Sequence, residues 1–140
     1  LVAHRDRYFD LLDEYRKGNG SPIIIALSDA AQISAAESRQ TAHRLAALPR
    51  EWREAMGRVR RGSATDRLLS WATQVTAFTT DDAHEAIGGP LSSTYTAIER
   101  LAAVEIVRPL TDRQRNQVWG VTDILDELDD LGARIARSAR

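Results

Sequence analysis

The turn Gly88-Gly89-Pro90 constrains the fold more than any other feature of this chain. Two glycines end the helical pattern of residues 81–87, and proline suits the first turn of the helix that follows. That second segment, residues 90–105, reads PLSSTYTAIERLAAVE. Its periodicity predicts one packed face formed by Leu91, Tyr95, Ile98, Leu101 and Ala102.

Two short extended runs follow this pair of helices. They are residues 106–110 (IVRPL) and 117–121 (QVWGV), and the polar stretch 111–116 joins them as the tip of a hairpin. An earlier helix is predicted to begin after Ser63, with Asp66 three residues later as a variant of the capping box. This order of elements is that of a winged helix-turn-helix: a helix, a short helix, a tight turn, a helix and a hairpin.

The first half of the chain shows only helical patterns. Residues 1–15 are predicted to form one amphipathic helix. Residues 23–48 are predicted to form a second one, rich in alanine and isoleucine, that Pro49 is expected to close. A shorter helix is predicted over residues 51–61. We therefore predict a mostly α fold in two domains, a helical array over residues 1–61 and a winged helix with one small hairpin over residues 62–140.

Composition excludes several classes of protein. The 140 residues contain no cysteine, so disulfide frameworks and thiolate metal sites are excluded, and a reducing compartment, the cytoplasm, is expected. No apolar run reaches the roughly 20 residues that a membrane span needs, so no membrane partner is predicted. The three histidines are far apart and lack ligand spacing, so no metal site is predicted.

Duplex DNA is the first candidate partner, because the helix after the turn commonly enters the major groove while the wing follows the backbone. The net charge of residues 62–140 is −4, with 8 arginines against 12 acidic residues, and this argues against DNA. Glu99 beside the candidate face argues the same way. The candidate DNA-binding residues are Ser92, Ser93, Thr96 and Arg100 on the helix and Arg113, Arg115 and Asn116 on the wing.

A protein-interaction or dimerisation module is the alternative. The last helix, beginning near Asp123, carries an apolar stripe at spacings of four, three and four residues. Such a stripe fits a partner helix, a second copy of the chain, or the domain's own core. The same helix is rich in carboxylates, which we interpret as its solvated face rather than as a metal site: Asp123, Asp126, Glu127, Asp129 and Asp130.

Three stretches of the chain resemble Fic family proteins of the actinobacterial type. They are RNQVWGVTDILDELDDLGARIAR (115–137), AIERLAAVEIVRPLT (97–111) and AHRDRYFDLLDEYRKG (3–18). The resemblance implies a helical Fic domain followed by a winged helix. Fic domains transfer AMP from ATP to a hydroxyl group of a target protein and use Mg²⁺, so the parent protein is expected to be an adenylyltransferase.

The segment RKGNGSP (16–22) contains the Gly-Asn-Gly triplet of the Fic catalytic motif but not its chemistry. The motif would need histidine where Asp13 stands, an acid where Lys17 stands and arginine where Ser21 stands. We therefore interpret RKGNGSP as a turn and expect the catalytic motif to lie upstream of Leu1. Residues 1–140 are then predicted to have no catalytic residue and no cofactor of their own.

Overall fold

The computed structural model of the protein describes residues 5–112 and 117–138. These residues form mostly helices together with a small antiparallel sheet, so the predicted fold class is confirmed. The helices are α1 (Arg5–Arg16), α2 (Ser21–Met56), α3 (Ala64–Ala72), α4 (Thr80–Ile87), α5 (Leu91–Ala103) and α6 (Thr122–Ser138). The strands are β1 (Ala77–Thr79), β2 (Val107–Pro109) and β3 (Val118–Val121).

The chain divides into two compact units. One unit is Arg44–Glu127, and the other combines Leu1–His43 with Leu128–Arg140. Helices α2 and α6 each contribute residues to both units. These units are defined by contacts between residues, which is a different criterion from the one used to predict domains. The predicted domains, residues 1–61 and 62–140, therefore stay a prediction.

Helix α2 differs from the expectation for this part of the chain. Pro49 was expected to end a helix, but α2 continues through it to Met56, and the separate helix over residues 51–61 is absent from the structure. Leu48 and Trp52, on either side of the proline, are 2% and 3% exposed. Burial of these two large side chains offsets the roughly 3 kcal/mol that proline costs inside a helix.

The unit Arg44–Glu127 has the topology of a winged helix-turn-helix. The element order is α3, β1, α4, α5, β2 and β3, and the strands lie in the order β1-β3-β2 with every pair antiparallel. The predicted hairpin is confirmed, with Val107 opposite Val121. Strand β1 adds a third strand that was not predicted, with Phe78 opposite Trp119.

One hydrophobic core holds these elements together. Its fully enclosed side chains come from every layer of the fold, with Leu68 from α3, Ile98 and Leu101 from α5, and Val121 from β3 all at most 2% exposed. Ala83 of α4 is also fully buried, which lets that helix approach its neighbours closely. The core therefore fixes the position of α5, the helix predicted to meet DNA.

A complete capping box begins α4. The Oγ1 atom of Thr79 accepts a hydrogen bond from the backbone N–H of Asp82, and the Asp82 carboxylate accepts bonds from the backbone N–H and the hydroxyl of Thr79 at 2.8 and 2.7 Å. These two bonds, the backbone one first, lower the pKa of Asp82 from its ordinary value of 3.8. The cap orients α4 against β1 and thereby sets the entry to the turn before α5.

The cap makes the stability of this unit sensitive to acid. A carboxyl group whose folded-state pKa is lowered stabilises the fold above its ordinary pKa, and this contribution is lost as the pH falls through the folded-state value. We expect Thr79→Ala to cost about 1 kcal/mol at pH 7. We expect the stability difference between the wild type and Asp82→Asn to be present at pH 7 and to shrink below about pH 4. Urea unfolding at both pH values measures this, and a difference that grows on acidification would contradict it.

The other unit has little apolar burial. In it the segment RKGNGSP forms a turn between α1 and α2, as predicted, with Gly18 at φ +91° and the Lys17 ammonium 2.9 Å from the carboxylate of Glu14. The Arg134 Nε atom lies 2.8 Å from the Glu37 carboxylate, and the Nη2 atom of Arg134 donates to the hydroxyl of the buried Thr41.

Within residues 5–112 and 117–138, no helix has the length and apolarity needed to cross a bilayer.

Candidate nucleic-acid interface

Helix α5 buries only part of the face that was predicted to pack in the core, together with Thr94 and Ala97, which were not predicted there. The buried residues are Thr94, Ala97, Ile98 and Leu101, whereas Leu91 is 43% exposed and Tyr95 is 52% exposed. The predicted packed face was therefore wrong at its first two positions. The reason is Thr94, a polar residue with no exposed surface, whose hydroxyl lies 3.3 Å from Nδ1 of His84 in α4. This hydrogen bond satisfies the hydroxyl, so the threonine can take a place in the core.

Three of the four predicted helix residues lie on one exposed ridge. Ser92, Thr96 and Arg100 follow one another at intervals of four residues, and each is exposed. We call these three residues the α5 ridge. At 1.5 Å per residue the ridge is about 12 Å long, which corresponds to three or four base pairs of a duplex. Ser93 is half-buried and lies beside the ridge.

The side chains of the ridge are partly pre-ordered. The Thr96 hydroxyl donates to the carbonyl oxygen of Ser92 at 3.0 Å, which leaves its lone pairs able to accept a further bond. An Nη1 atom of Arg100 donates to the hydroxyl of Thr65 in α3 at 3.4 Å. This bond is long and uses only one of the five N–H donors of the guanidinium group, so the other donors can bind a ligand. Glu99, also exposed, places one negative charge next to the ridge.

Leu91 and Tyr95 form a second exposed line beside the α5 ridge, although the periodicity of the sequence assigned both to the packed face. They are four residues apart, so they lie on the same side of the helix. A phenol and an isobutyl group on an exposed helix can contact base edges, sugars or a thymine methyl group. The spacing of positions 94, 97, 98 and 101 could have indicated the buried face of α5. Because position 94 is a threonine, a polar residue, the apolar periodicity did not include it.

The wing carries the other predicted contacts. Arg113, Arg115 and Asn116 lie outside the described residues, so their role stays a prediction. Arg108, on β2, lies within them and is exposed. Its Nη2 atom is 2.9 Å from the carboxylate of Asp126, so its charge is neutralised within the protein.

The acidic residues at the start of α6 take part in bonds within the unit. The Asp123 carboxylate accepts a hydrogen bond of 2.6 Å from the indole N–H of Trp52, and Asp126 pairs with Arg108. The carboxylates of this helix were predicted to face solvent. For Asp123, which is half-buried, the prediction was wrong. Asp123 instead joins α6 to the carboxyl-terminal part of α2 inside the unit Arg44–Glu127.

Comparison with known proteins does not assign the chain to a family. No protein-family model matches it, and no curated protein matches it.

Proposed function

We propose that the unit Arg44–Glu127 binds duplex DNA and that α5 enters the major groove. The observation that supports this most directly is the α5 ridge, an exposed polar strip on the helix that follows the tight turn of a winged helix-turn-helix. The opposite face of α5 is buried in the core, which holds the ridge in a fixed position. A helix held rigidly, with side chains that can form hydrogen bonds to base edges, suits base readout.

The chemistry of the ridge suits a duplex. The Ser92 hydroxyl can donate or accept a hydrogen bond, and the Thr96 hydroxyl can accept one. An arginine can bind guanine through two hydrogen bonds or contact a phosphate. Tyr95 and Leu91 add contact area next to them. A DNA-bound role implies the compartment that holds the chromosome, which is the cytoplasm in the bacterial proteins that the sequence resembles.

Selection from a random duplex library tests this proposal. We expect the wild-type protein to enrich a short motif whose core spans three or four base pairs. Ser92→Ala with Thr96→Ala should lower affinity for the enriched duplex roughly tenfold, because good base contacts are worth about 1–3 kcal/mol. Affinity for unselected duplexes should change little. Fluorescence anisotropy at one fixed salt concentration measures both affinities.

The matched control is Ser70→Ala in α3 with Thr73→Ala at the residue that caps the carboxyl end of α3. These hydroxyls are exposed and bond to carbonyl oxygens of their own helix, as the Thr96 hydroxyl does, but they lie off α5. The control variant should bind like the wild type. An equal loss in both double variants, or a wild type that enriches no motif, would contradict readout by α5.

A protein-interaction role is the second candidate function. Several large apolar side chains in the described part of the other unit are about half exposed, and surfaces of this kind mark protein contacts in many proteins. They are Phe9 at 52%, Tyr15 at 59%, Ile24 at 64%, Ile25 at 61%, Leu27 at 46% and Leu128 at 42%. Light scattering over a range of concentrations distinguishes a self-associating chain from a monomer, with or without DNA.

The resemblance to Fic proteins supports a proposal about the parent protein only. On this proposal the parent moves AMP from ATP to a target hydroxyl with the help of Mg²⁺, and the present chain performs no catalytic step. Lys17, which stands at the position of the motif's metal-binding acid, pairs with Glu14. The winged helix would then direct or regulate the parent by binding DNA or protein.

A further inference from the structure

Four arginines lie close together in the sequence just before and within the first turn of α3. Residues 57–67 read GRVRRGSATDR, with four arginines against one aspartate. Arg58, Arg60, Arg61 and Arg67 are all exposed, and the first three lie between the end of α2 and the start of α3. We call these four residues the arginine segment.

The charges of the arginine segment are not neutralised within the described part of the protein. There, none of its four guanidinium groups lies within salt-bridge distance of a carboxylate. In contrast, Arg44, Arg53 and Arg108 each have a carboxylate partner at 2.7, 3.6 and 2.9 Å. The one acid of the stretch, Asp66, faces Arg53 and accepts a bond from the backbone N–H of Gly62. The segment therefore carries a local excess of positive charge.

One member of the arginine segment, Arg67, borders the turn that begins α5. An Nη1 atom of Arg67 donates to the carbonyl oxygen of Gly62 at 2.9 Å. Its Nη2 atom is 3.5 Å from the point where a side chain on Gly89 would begin, and Gly89 is part of the turn into α5. At the other end of α5, Arg100 bonds to Thr65, which lies in the first turn of α3. The start of α3 is thus next to both ends of the α5 ridge.

The backbone of the segment is held in place. The backbone N–H of Ser63 donates to the carbonyl oxygen of Arg60 at 3.1 Å, and the Ser63 hydroxyl caps α3 by accepting from Asp66. Gly62, at φ +75°, makes the turn between them. Arg60 and Arg61 are therefore presented on a structured turn whose side chains are exposed.

We propose that the arginine segment binds the phosphate backbone of duplex DNA beside the groove that α5 enters. This inference rests on the proposed DNA-binding function and adds the surface that supplies its affinity. Guanidinium groups match phosphate oxygens in geometry and charge. The major groove is about 12 Å wide, so side chains next to a helix in the groove meet the flanking phosphates.

The arginine segment weakens the argument against DNA that was based on net charge. Counted over residues 62–140 the net charge is −4, but that division leaves out Arg58, Arg60 and Arg61. The compact unit Arg44–Glu127 has 11 arginines and 12 acidic residues, a net charge of −1. Its positive charge is concentrated at the arginine segment, where residues 57–67 have a net charge of +3. A DNA-binding surface needs this local excess more than it needs a basic whole domain.

The test measures how affinity for mixed-sequence duplex DNA depends on salt. Arg60→Gln with Arg61→Gln should weaken binding to every duplex and reduce the slope of log K against log salt by about two, because each phosphate contact releases nearly one counterion. Arg60→Lys with Arg61→Lys should keep the slope. The matched control, Arg5→Gln with Arg7→Gln, removes two exposed arginines from α1 and should leave both affinity and slope unchanged. Thermal unfolding verifies that each variant is folded.

The outcomes separate this inference from the function on which it rests. If the wild type binds duplex DNA and the Arg60/Arg61 glutamine variant keeps the full slope, the arginine segment is not the phosphate-binding surface, while DNA binding stands. If the control variant, Arg5→Gln with Arg7→Gln, loses as much affinity and slope as the Arg60/Arg61 glutamine variant, then only the total charge matters and the inference fails. If poly-glutamate competes as well as DNA at equal charge, the surface binds acidic chains in general and the assignment to DNA is wrong. A wild type without salt-dependent affinity overturns both proposals.

Discussion

Replacing Leu101 by alanine is expected to lower the free energy of unfolding by about 3–5 kcal/mol. Leu101 has no exposed surface and packs in the core together with Ile98 and Val121. Alanine would lose the burial of the isobutyl group and leave a cavity that a close-packed interior fills only in part. A loss of this size is a large fraction of the 5–15 kcal/mol that typically separates folded from unfolded domains. Urea unfolding followed by circular dichroism measures it.

Leu91→Ala is the matched control, since it makes the same substitution on the same helix. Leu91 is 43% exposed, so we expect a loss below about 1 kcal/mol. The pair distinguishes the two descriptions of α5, because the periodicity of the sequence placed both leucines on the packed face. Equal losses for the two variants would mean that α5 is rotated relative to the structure described above.

The order of elements in the winged helix was predictable because local signals mark each boundary. Thr79 caps α4, and the glycines at 88 and 89 both have positive φ values. The Ser63 hydroxyl accepts from the backbone N–H of Asp66 as expected. The Asp66 carboxylate, however, accepts from the backbone N–H of Gly62 and not from that of Ser63. Caps and tight turns depend on neighbouring residues, so a sequence pattern contains most of what determines them.

Features that depend on distant residues were not predictable in the same way. Proline at position 49 is a local signal for a helix end, but the core around Leu48 and Trp52 overrides it. Strand β1 has only three residues, and it exists because β3 offers it a partner in the sheet. Thr94 could be recognised as a core residue only with its partner His84 in view. In each case tertiary contacts outweigh a local preference.

The candidate site shows the same division. The positions of Ser92, Thr96 and Arg100 followed from the helical repeat, and the structure places all three on the exposed ridge. The arginine segment was visible in the sequence as four arginines within ten residues. Three of them, Arg58, Arg60 and Arg61, were assigned to a helix of the first domain, however, and only the contacts of Arg67 and Arg100 link this part of the chain to α5.

Replacing Trp52 by alanine is expected to lower the free energy of unfolding by about 3–5 kcal/mol. The indole is 3% exposed in the core, and its N–H donates to the Asp123 carboxylate at 2.6 Å. The change therefore removes both a large buried ring and the hydrogen-bond donor of a half-buried carboxylate. No local pattern indicates this link, because the two residues are 71 positions apart in the chain.

Trp52→Phe separates the two contributions. Phenylalanine keeps most of the ring but has no N–H group, so we expect a loss of roughly 1–3 kcal/mol, the range for leaving a buried polar partner unsatisfied. Asp123→Ala, made alone and together with Trp52→Phe, completes a double-mutant cycle whose coupling energy should be near 1–2 kcal/mol. Circular dichroism is the appropriate probe, since the variants alter tryptophan fluorescence. If the two single losses simply add, then no hydrogen bond joins α2 to α6 within this unit, and ring packing alone must account for the effect of Trp52→Ala.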